Sequence, residues 1–427
     1  MKKRHFETEC LHSGYTVDAT TSSQAVPLYR TSSYRFRDTE HAANLFSLQE
    51  LGNIYTRLMN PTTDVLEKRM ATLEGGAAGL ALASGTSAIF YSIINLAQVG
   101  DEIVAATNLY GGTYTQFENI LPQLGINVKF VDPSNPENFA AAITPKTKAL
   151  YAETIGNPAL DLADIDAIAD VAHAHGLPLI VDNTFATPAL FRPLEHGADI
   201  VVHSLTKWLG GHGTGIGGVA VDSGEFDWTT GKHPLLSEPD ASYHDIRFAS
   251  DLGELSPLAY ILRMRLVPLR NLGACIAPDN AWLFIQGLET LPLRMERHSE
   301  NALTVAKHLK EHAKVEWIRY PGLAGDPSYE NARKHLPNGA GGMVVFGING
   351  GVEGGCKFIE ALKLFSHLAN VGDAKSLAIH PSTTTHAQLT KEQQAAGGIS
   401  PELVRLSIGI EHIDDILDDI DQALETL

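Results

Sequence analysis

The chain has 427 residues, 44% of them apolar and 19% charged, with a formal net charge of −18. This is enough for two or three apolar cores and excludes a disordered chain, while the negative balance argues against nucleic acid as a partner and for small-molecule chemistry. Cys10, Cys275 and Cys356 are widely spaced and form no C-x-x-C pair, no apolar core follows the basic N-terminus, and no apolar run approaches the roughly 18 residues of a membrane span, so we expect a reducing, cytoplasmic setting without disulfides or membrane.

Residues 1–61 are polar and irregular, with short extended pieces such as Ala25–Tyr29, and are expected to form an arm. A helix is predicted from Thr62 to Leu73, with Val65, Leu66, Met70 and Leu73 on one face. Strands and helices then alternate. Strands are predicted at Gly79–Ala83, Glu102–Ala106, Val128–Val131, Ala149–Glu153, Pro178–Asp182, Ile200–Val202 and Gly218–Val221. Helices are predicted at Ser87–Leu96, Tyr114–Leu124 and Asp164–His175. The alternation implies an α/β fold: a mostly parallel sheet with helices on both faces, and ligands at the carboxyl ends of its strands.

Residues 222–270 interrupt the alternation with a polar, Gly- and Pro-containing insertion, read as a loop or lid that shapes substrate access. Two helical stretches broken near Pro292 should cover Asp279–His312. Strands at Gly342–Phe346 and Val404–Ser407, with helices at Cys356–Leu364 and Ile413–Leu427, suggest a smaller C-terminal α/β domain. The division expected is an arm over 1–61, a large domain over 62–290 and a C-terminal domain over 291–427.

Four segments carry candidate chemistry. The run Ile200–Val202 ends in Ser204, Thr206 and Lys207, and a glycine-rich stretch follows. A lysine at the end of a buried strand suits an amine that must be desolvated, lowered in pKa and used as a covalent hook for a carbonyl. The two hydroxyls beside it could hold a phosphate. A lysine hook next to a phosphate site suggests pyridoxal phosphate (PLP). The competing reading of Lys207 is a surface lysine extending its stem along the protein. Asp182 closes a wholly apolar strand and would need a positive partner such as a pyridinium nitrogen; a strand-end cap is the alternative. The Ser84–Ser87 turn before a predicted helix could place Gly85 and Thr86 N–H groups on an anion, although such turns are common. Tyr110 follows another strand on the same edge and could stack on an aromatic ring, or be an ordinary surface tyrosine.

Other motifs fail. Gly213-Thr-Gly-Ile-Gly-Gly218 is followed by a strand-like segment rather than a helix, which excludes a dinucleotide site. The histidines are scattered, and His173 and His175 point apart on a helix, so no metal site is expected.

Together, Ser204-Leu-Thr-Lys207, Val181-Asp182-Asn-Thr184, Ala83-Ser-Gly85-Thr-Ser-Ala88 and Tyr55-Thr-Arg57-Leu-Met-Asn-Pro61 closely resemble the Cys/Met-metabolism family of PLP enzymes. The likeness extends from about residue 10 to the end. It implies the aspartate aminotransferase-like fold (fold type I), with a seven-stranded type of sheet, and pyridoxal 5′-phosphate as cofactor. A narrower likeness, to members acting on O-acetylhomoserine with sulfide or a thiol, rests on Glu153–Pro158, the long insertion, Asn370–Leu377 and His380–His386.

The resemblance also implies roles. Lys207 would anchor the cofactor and shuttle protons, Asp182 would pair with its pyridine nitrogen, and Tyr110 would stack on its ring. Gly85, Thr86, Ser204 and Thr206 would hold its phosphate, joined by Tyr55 and Arg57 from a neighbouring subunit, with Tyr55 also near the substrate. Asn157 and Arg405 would bind the substrate carboxylate, with Ser376 beside them. Self-association as a homotetramer built of dimers is implied as well. The family's methionine-degrading γ-lyases tend to carry a cysteine where this chain has Gly112, which disfavours a lyase. Cystathionine γ-synthase or γ-lyase activity remains the alternative within the family. A non-catalytic binding protein on the same fold is the alternative outside it, and the intact Lys207, Asp182 and Arg405 argue against that.

Overall fold

The computed structural model describes residues 4–385, 387, 390, 391, 394 and 398–427. His386, the last residue of the His380–His386 segment, lies outside them. Two sheets organise the chain. The first contains β1 (Ala78–Leu82), β2 (Glu102–Ala106), β3 (Asn127–Val131), β4 (Thr147–Glu153), β5 (Leu179–Asp182), β6 (Ile200–Ser204) and β7 (Gly218–Asp222), in the order β1-β7-β6-β5-β4-β2-β3. All neighbours are parallel except β7, which runs antiparallel to both β1 and β6. Every residue of β4 is buried, and Leu179–Val181 and Ile200–His203 likewise, as expected for a sheet covered on both faces.

The second sheet contains β8 (Val315–Arg319), β9 (Met343–Ile348), β10 (Ser366–His367), β11 (Leu377–Ile379) and β12 (Leu403–Ser407), in the order β10-β11-β12-β9-β8. It is mostly antiparallel; only β10 and β11 pair in parallel. Two long helices, Pro278–Glu289 and Leu291–Glu311, lead into it, and Pro292 occupies the first turn of the second helix, where its missing N–H costs nothing.

The N-terminal region holds two helices that lack an extended apolar pattern. The first, α1 (Phe6–His12), is anchored on its own chain: Cys10 is fully buried, and Arg69 Nε donates to the Ser13 carbonyl at 3.0 Å. The second, α2 (Thr39–Phe46), is capped by Asp38, which accepts from His41 N. Next, α3 (Pro61–Glu74) starts at Asn60, whose side chain accepts from Thr62 N. Then α4 (Gly85–Ile94) follows β1 directly.

The insertion lies away from the carboxyl edge of the first sheet within the chain. Residues 223–258 form short helical turns that lie along the amino ends of the parallel strands, opposite the edge where Glu153, Asp182 and Ser204 end theirs. His233 Nε2 donates to the carbonyl of Lys148, the second residue of β4, at 2.8 Å. Lys148 Nζ in turn donates to the Lys232 carbonyl at 2.8 Å. Trp228 stacks on Tyr260 at 5.4 Å between centroids. Within the chain this segment is largely exposed, is anchored by the buried Trp228, Leu236 and Phe248, and does not line the cavity at the carboxyl ends of the strands. Polar composition suggested a mobile loop because the few large apolar residues that anchor it show no periodicity.

Candidate active site

The carboxyl ends of β1, β4, β5 and β6 open onto one cavity of about 560 Å³, which Asn370, Val371 and Arg405 line from the side of the second sheet. Gly85, Thr86, Tyr110, Asn157, Asp182, Ser204, Thr206, Lys207 and Arg405 all line it. Parallel pairing of β5 with β6 brings Asp182 opposite Val202, so the aspartate and the segment that carries Lys207 leave the sheet side by side.

At one end of the cavity, Ser84 caps α4 by accepting from Ser87 N at 3.1 Å. The Gly85 and Thr86 N–H groups, in the first turn, have no carbonyl partner within the helix. Gly85 lies against β6 so closely that a Cβ there would stand 2.7 Å from the Ser204 Cβ. Only glycine permits this approach of the helix start to Ser204. Thr206 Oγ1 accepts from Gly217 N at 3.1 Å, which orients the hydroxyl at the same end.

Lys207 Nζ donates to Asn370 Oδ1 at 2.6 Å, and no carboxylate pairs with it among the described residues. Burial and then the nearby Arg405 charge lower its pKa from 10.5 to about 8. Asn370 is held in place by Gly372, whose positive φ of 77° suits glycine and whose Cβ would meet Trp208 N at 2.6 Å. Arg405 is 6% exposed and donates from Nη1 to Asn157 Oδ1 at 3.0 Å. It too has no carboxylate partner among the described residues, and burial pulls its pKa down to about 10.

Two carboxyls share the cavity. Asp182 accepts from Thr184 N at 2.9 Å, but burial outweighs that bond and raises its pKa. Glu153 accepts from Tyr110 N at 2.7 Å, and burial followed by the Asp182 charge pushes its pKa well above the usual carboxylate range.

Not every expected residue is there. Ser376 is fully buried outside the cavity lining, donates from Oγ to Glu411 Oε2 at 3.0 Å, and accepts from Gly409 N at 2.8 Å. Its segment runs from the cavity at Asn370 to the start of β11, so six residues on it has left the site. Tyr55 and Arg57 are also absent from this chain's own cavity. Tyr55 is 42% exposed, Arg57 lies 5.5 Å over its ring, and Arg57 donates to the Arg270 carbonyl. Asn370 and Thr184 were missed as site residues. Thr184 Oγ1 accepts from Ser204 N at 2.9 Å, tying β5 to β6. A hydroxyl two residues after Asp182 was visible in sequence; nothing local signalled that Asn370 would reach Lys207.

The donor set fits pyridoxal phosphate. A helix start pressed against two hydroxyls suits a phosphate, an unpaired amine of lowered pKa suits the carbonyl, and a buried carboxylate without a cation suits a ring nitrogen that takes a proton. The model of the family described as Cys/Met metabolism PLP-dependent enzyme matches residues 7–425. The chain is 57% identical to an O-acetyl-L-homoserine sulfhydrylase of Leptospira meyeri, covering 99% of this chain and 97% of that protein. It is 53% identical to a homocysteine synthase of Schizosaccharomyces pombe, covering 100% and 99%. A crystal structure from Campylobacter jejuni, described as an O-acetylhomoserine (thiol)-lyase and containing a pyridoxyl-lysine phosphate, superposes with a TM-score of 0.95 at 41% identity over 99% of this chain and 100% of that one. The cofactor is pyridoxal phosphate, and the fold is fold type I of its enzymes. With a match over nearly its whole length, the chain belongs to the Cys/Met metabolism family of PLP-dependent enzymes.

Proposed function

We propose that the protein is an O-acetyl-L-homoserine sulfhydrylase, which replaces the acetoxy group at the γ carbon with sulfide or methanethiol to give homocysteine or methionine plus acetate. The observation that carries this reading is a cavity in which two buried cations, Lys207 and Arg405, stand without carboxylate partners. An amino-acid substrate supplies the carboxylate that Arg405 lacks, and the cofactor carbonyl takes the Lys207 amine. The full-length sulfhydrylase relatives support the choice of ester and nucleophile.

Arg405 would take the substrate carboxylate in a two-pronged contact, while Asn157 Oδ1 holds one edge of the guanidinium. Lys207 Nζ, with a pKa of about 8, can exist as the free amine near neutral pH and can then accept and return a proton. Asn370 Oδ1 would orient that amine. Gly85 and Thr86 N–H groups with the Ser204 and Thr206 hydroxyls would hold the cofactor phosphate. Asp182 would pair with the ring nitrogen, and Tyr110 would cover the ring face. When bound, pyridoxal phosphate supplies an electron sink that acidifies the substrate carbon bearing the amino group. Ile89, Ile155 and Val371 give the same cavity an apolar wall.

The exposed Tyr55, with the half-buried Arg57 over its ring and both outside this chain's own cavity, supports an assembly in which residues 1–61 form an arm that brings both to a neighbouring copy's phosphate, in a cytoplasmic homotetramer built of dimers. The division into residues 62–290 and 291–427 follows the two sheets. Against a γ-lyase, a Cβ at Gly112 would stand 2.5 Å from Tyr110 Cε1, so a cysteine there demands a different setting of the ring.

The test is a product assay on PLP-loaded protein with O-acetyl-L-homoserine, with and without sulfide. Homocysteine formed only when sulfide is present supports the proposal. Dominant 2-oxobutyrate and ammonia, with sulfide present, would assign a γ-lyase instead.

A further inference from the structure

We propose that Asp166, His196 and His335 form a binding site for one divalent transition-metal ion of the zinc type, separate from the catalytic cavity. No local spacing reveals it, because the three residues meet only in the fold. Asp166 lies in the first turn of the helix Ile165–Ala174, beside the first sheet, and His196 ends the turn Pro193–His196. His335 ends the helix Tyr329–His335, which follows β8 of the second sheet. One ligand atom from each lies within 4.8 Å of the other two, and none of the three lines the cavity.

The decisive side chain is His335. It is 6% exposed, and among the described residues neither ring nitrogen has a hydrogen-bond partner. Its Nε2 faces Asp166 Oδ2 at 3.8 Å, too far for a hydrogen bond. Burying two unsatisfied ring nitrogens costs stability unless something takes a lone pair. A metal ion bound by the other two residues would do so. The ring orientations are already fixed. Phe191 stacks on His196 at 4.5 Å and meets His335 edge-on at 5.8 Å, and the two imidazoles stand 5.2 Å apart.

Two imidazoles and one carboxylate, with water in a fourth position, form a set that zinc accepts readily. Metal–ligand bonds of about 2.0–2.2 Å place tetrahedral ligand atoms roughly 3.3 Å apart. His335 would therefore move slightly inward. The hydrogen bond between His196 Nδ1 and Asp166 Oδ1, 2.7 Å long, would open, and the neutral ring would carry its single proton on Nε2 so that Nδ1 offers its lone pair to the ion. Lys334 Nζ stands 3.2 Å from Asp166 Oδ2, but its side chain is 62% exposed and free to swing away. The bound ion would clip the helix Tyr329–His335 to the helix layer of the first sheet.

The test is calorimetric titration of chelator-treated holoenzyme with zinc sulfate, paired with thermal unfolding. We expect one zinc per chain and a rise in Tm, both lost in His335→Ala and in Asp166→Asn, with homocysteine formation in metal-free buffer unchanged. Asp166→Asn alters a half-exposed side chain, so it keeps the test decisive if His335→Ala fails to fold. Absence of zinc binding, or equal binding by wild type and Asp166→Asn, would overturn the proposal.

Discussion

Arg405 on β12 and Arg319 on β8 belong to the same sheet, yet they are provided for in opposite ways. Arg319 donates to Asp161 Oδ1 at 2.8 Å and to Asp326 Oδ2 at 3.0 Å. Burial opposes its charge, but those two carboxylates hold its pKa above the ordinary value. Arg405 is more deeply buried and has, among the described residues, only the neutral Asn157 amide, and its pKa falls to about 10. A buried cation without a carboxylate weakens the folded chain; a neutralised one does not. The difference supports the proposal that Arg405 is reserved for a ligand, with Arg319 structural. Lys207, held among the described residues by Asn370 alone, belongs with Arg405.

The largest effect that sharpens this comparison is at the amine itself. Lys207→Ala should lower turnover by at least about 10²–10⁴-fold and abolish the borohydride-reducible link to the cofactor. Steady-state kinetics and the mass of borohydride-treated protein check both; retention of either would remove Lys207 from the reaction. Next, Arg405→Met should cost about 2–5 kcal/mol in kcat/KM while leaving Tm unchanged or higher. Arg319→Met should do the reverse. It should lower stability by up to about 3–5 kcal/mol, because Asp326, with a fully buried side chain, is left uncompensated, and kcat should change little. Matching losses of Tm in the two variants would break the comparison.

A third effect concerns pH in cofactor-free protein. The folded pKa of Lys207, about 8, lies below its ordinary value of 10.5, so folding opposes protonation of this amine. The penalty is full below about 8 and vanishes as the pH rises through 10.5. Lys207→Met should therefore raise the Tm of the cofactor-free protein at pH 7, and the gain should shrink steadily above pH 8. A gain that does not vary with pH would contradict the buried, unpaired amine. The smallest effect is at Ser376. Ser376→Ala should cost about 1 kcal/mol of stability through the lost bonds to Glu411 and Gly409, with KM for O-acetyl-homoserine unchanged. A selective rise in KM would return Ser376 to the substrate site.

The first sheet was legible because its strands are short apolar runs between turn residues. The strand Glu102–Ala106 was bounded correctly to the residue, and the helix break at Pro292 followed from the proline's missing N–H. The site was legible where its residues end strands, since pairing alone carries Asp182 and Lys207 to one edge. What could not be read depends on how the two sheets meet. Asn370 and Ser376 share one polar segment, and its packing, with Gly372 against Trp208 and Ser376 bonded to Glu411 and Gly409, turns Asn370 to the lysine and Ser376 away. The β8 strand, half-buried along most of its length, has no clean alternation. The helix Gly351–Ala361 begins five residues before the predicted start, because its first turn is rich in glycine and resembles a loop.

The central claim is that Arg405 stands ready for a substrate carboxylate in a γ-replacement reaction. The most direct measurement is homocysteine formation with sulfide by wild type and Arg405→Met, each with O-acetyl-L-homoserine and with its carboxamide. The account predicts that wild type loses as much from the carboxamide as from the substitution, and that the variant loses little more when both changes are combined. Fully additive losses would show that Arg405 does not meet the carboxylate and would contradict the account.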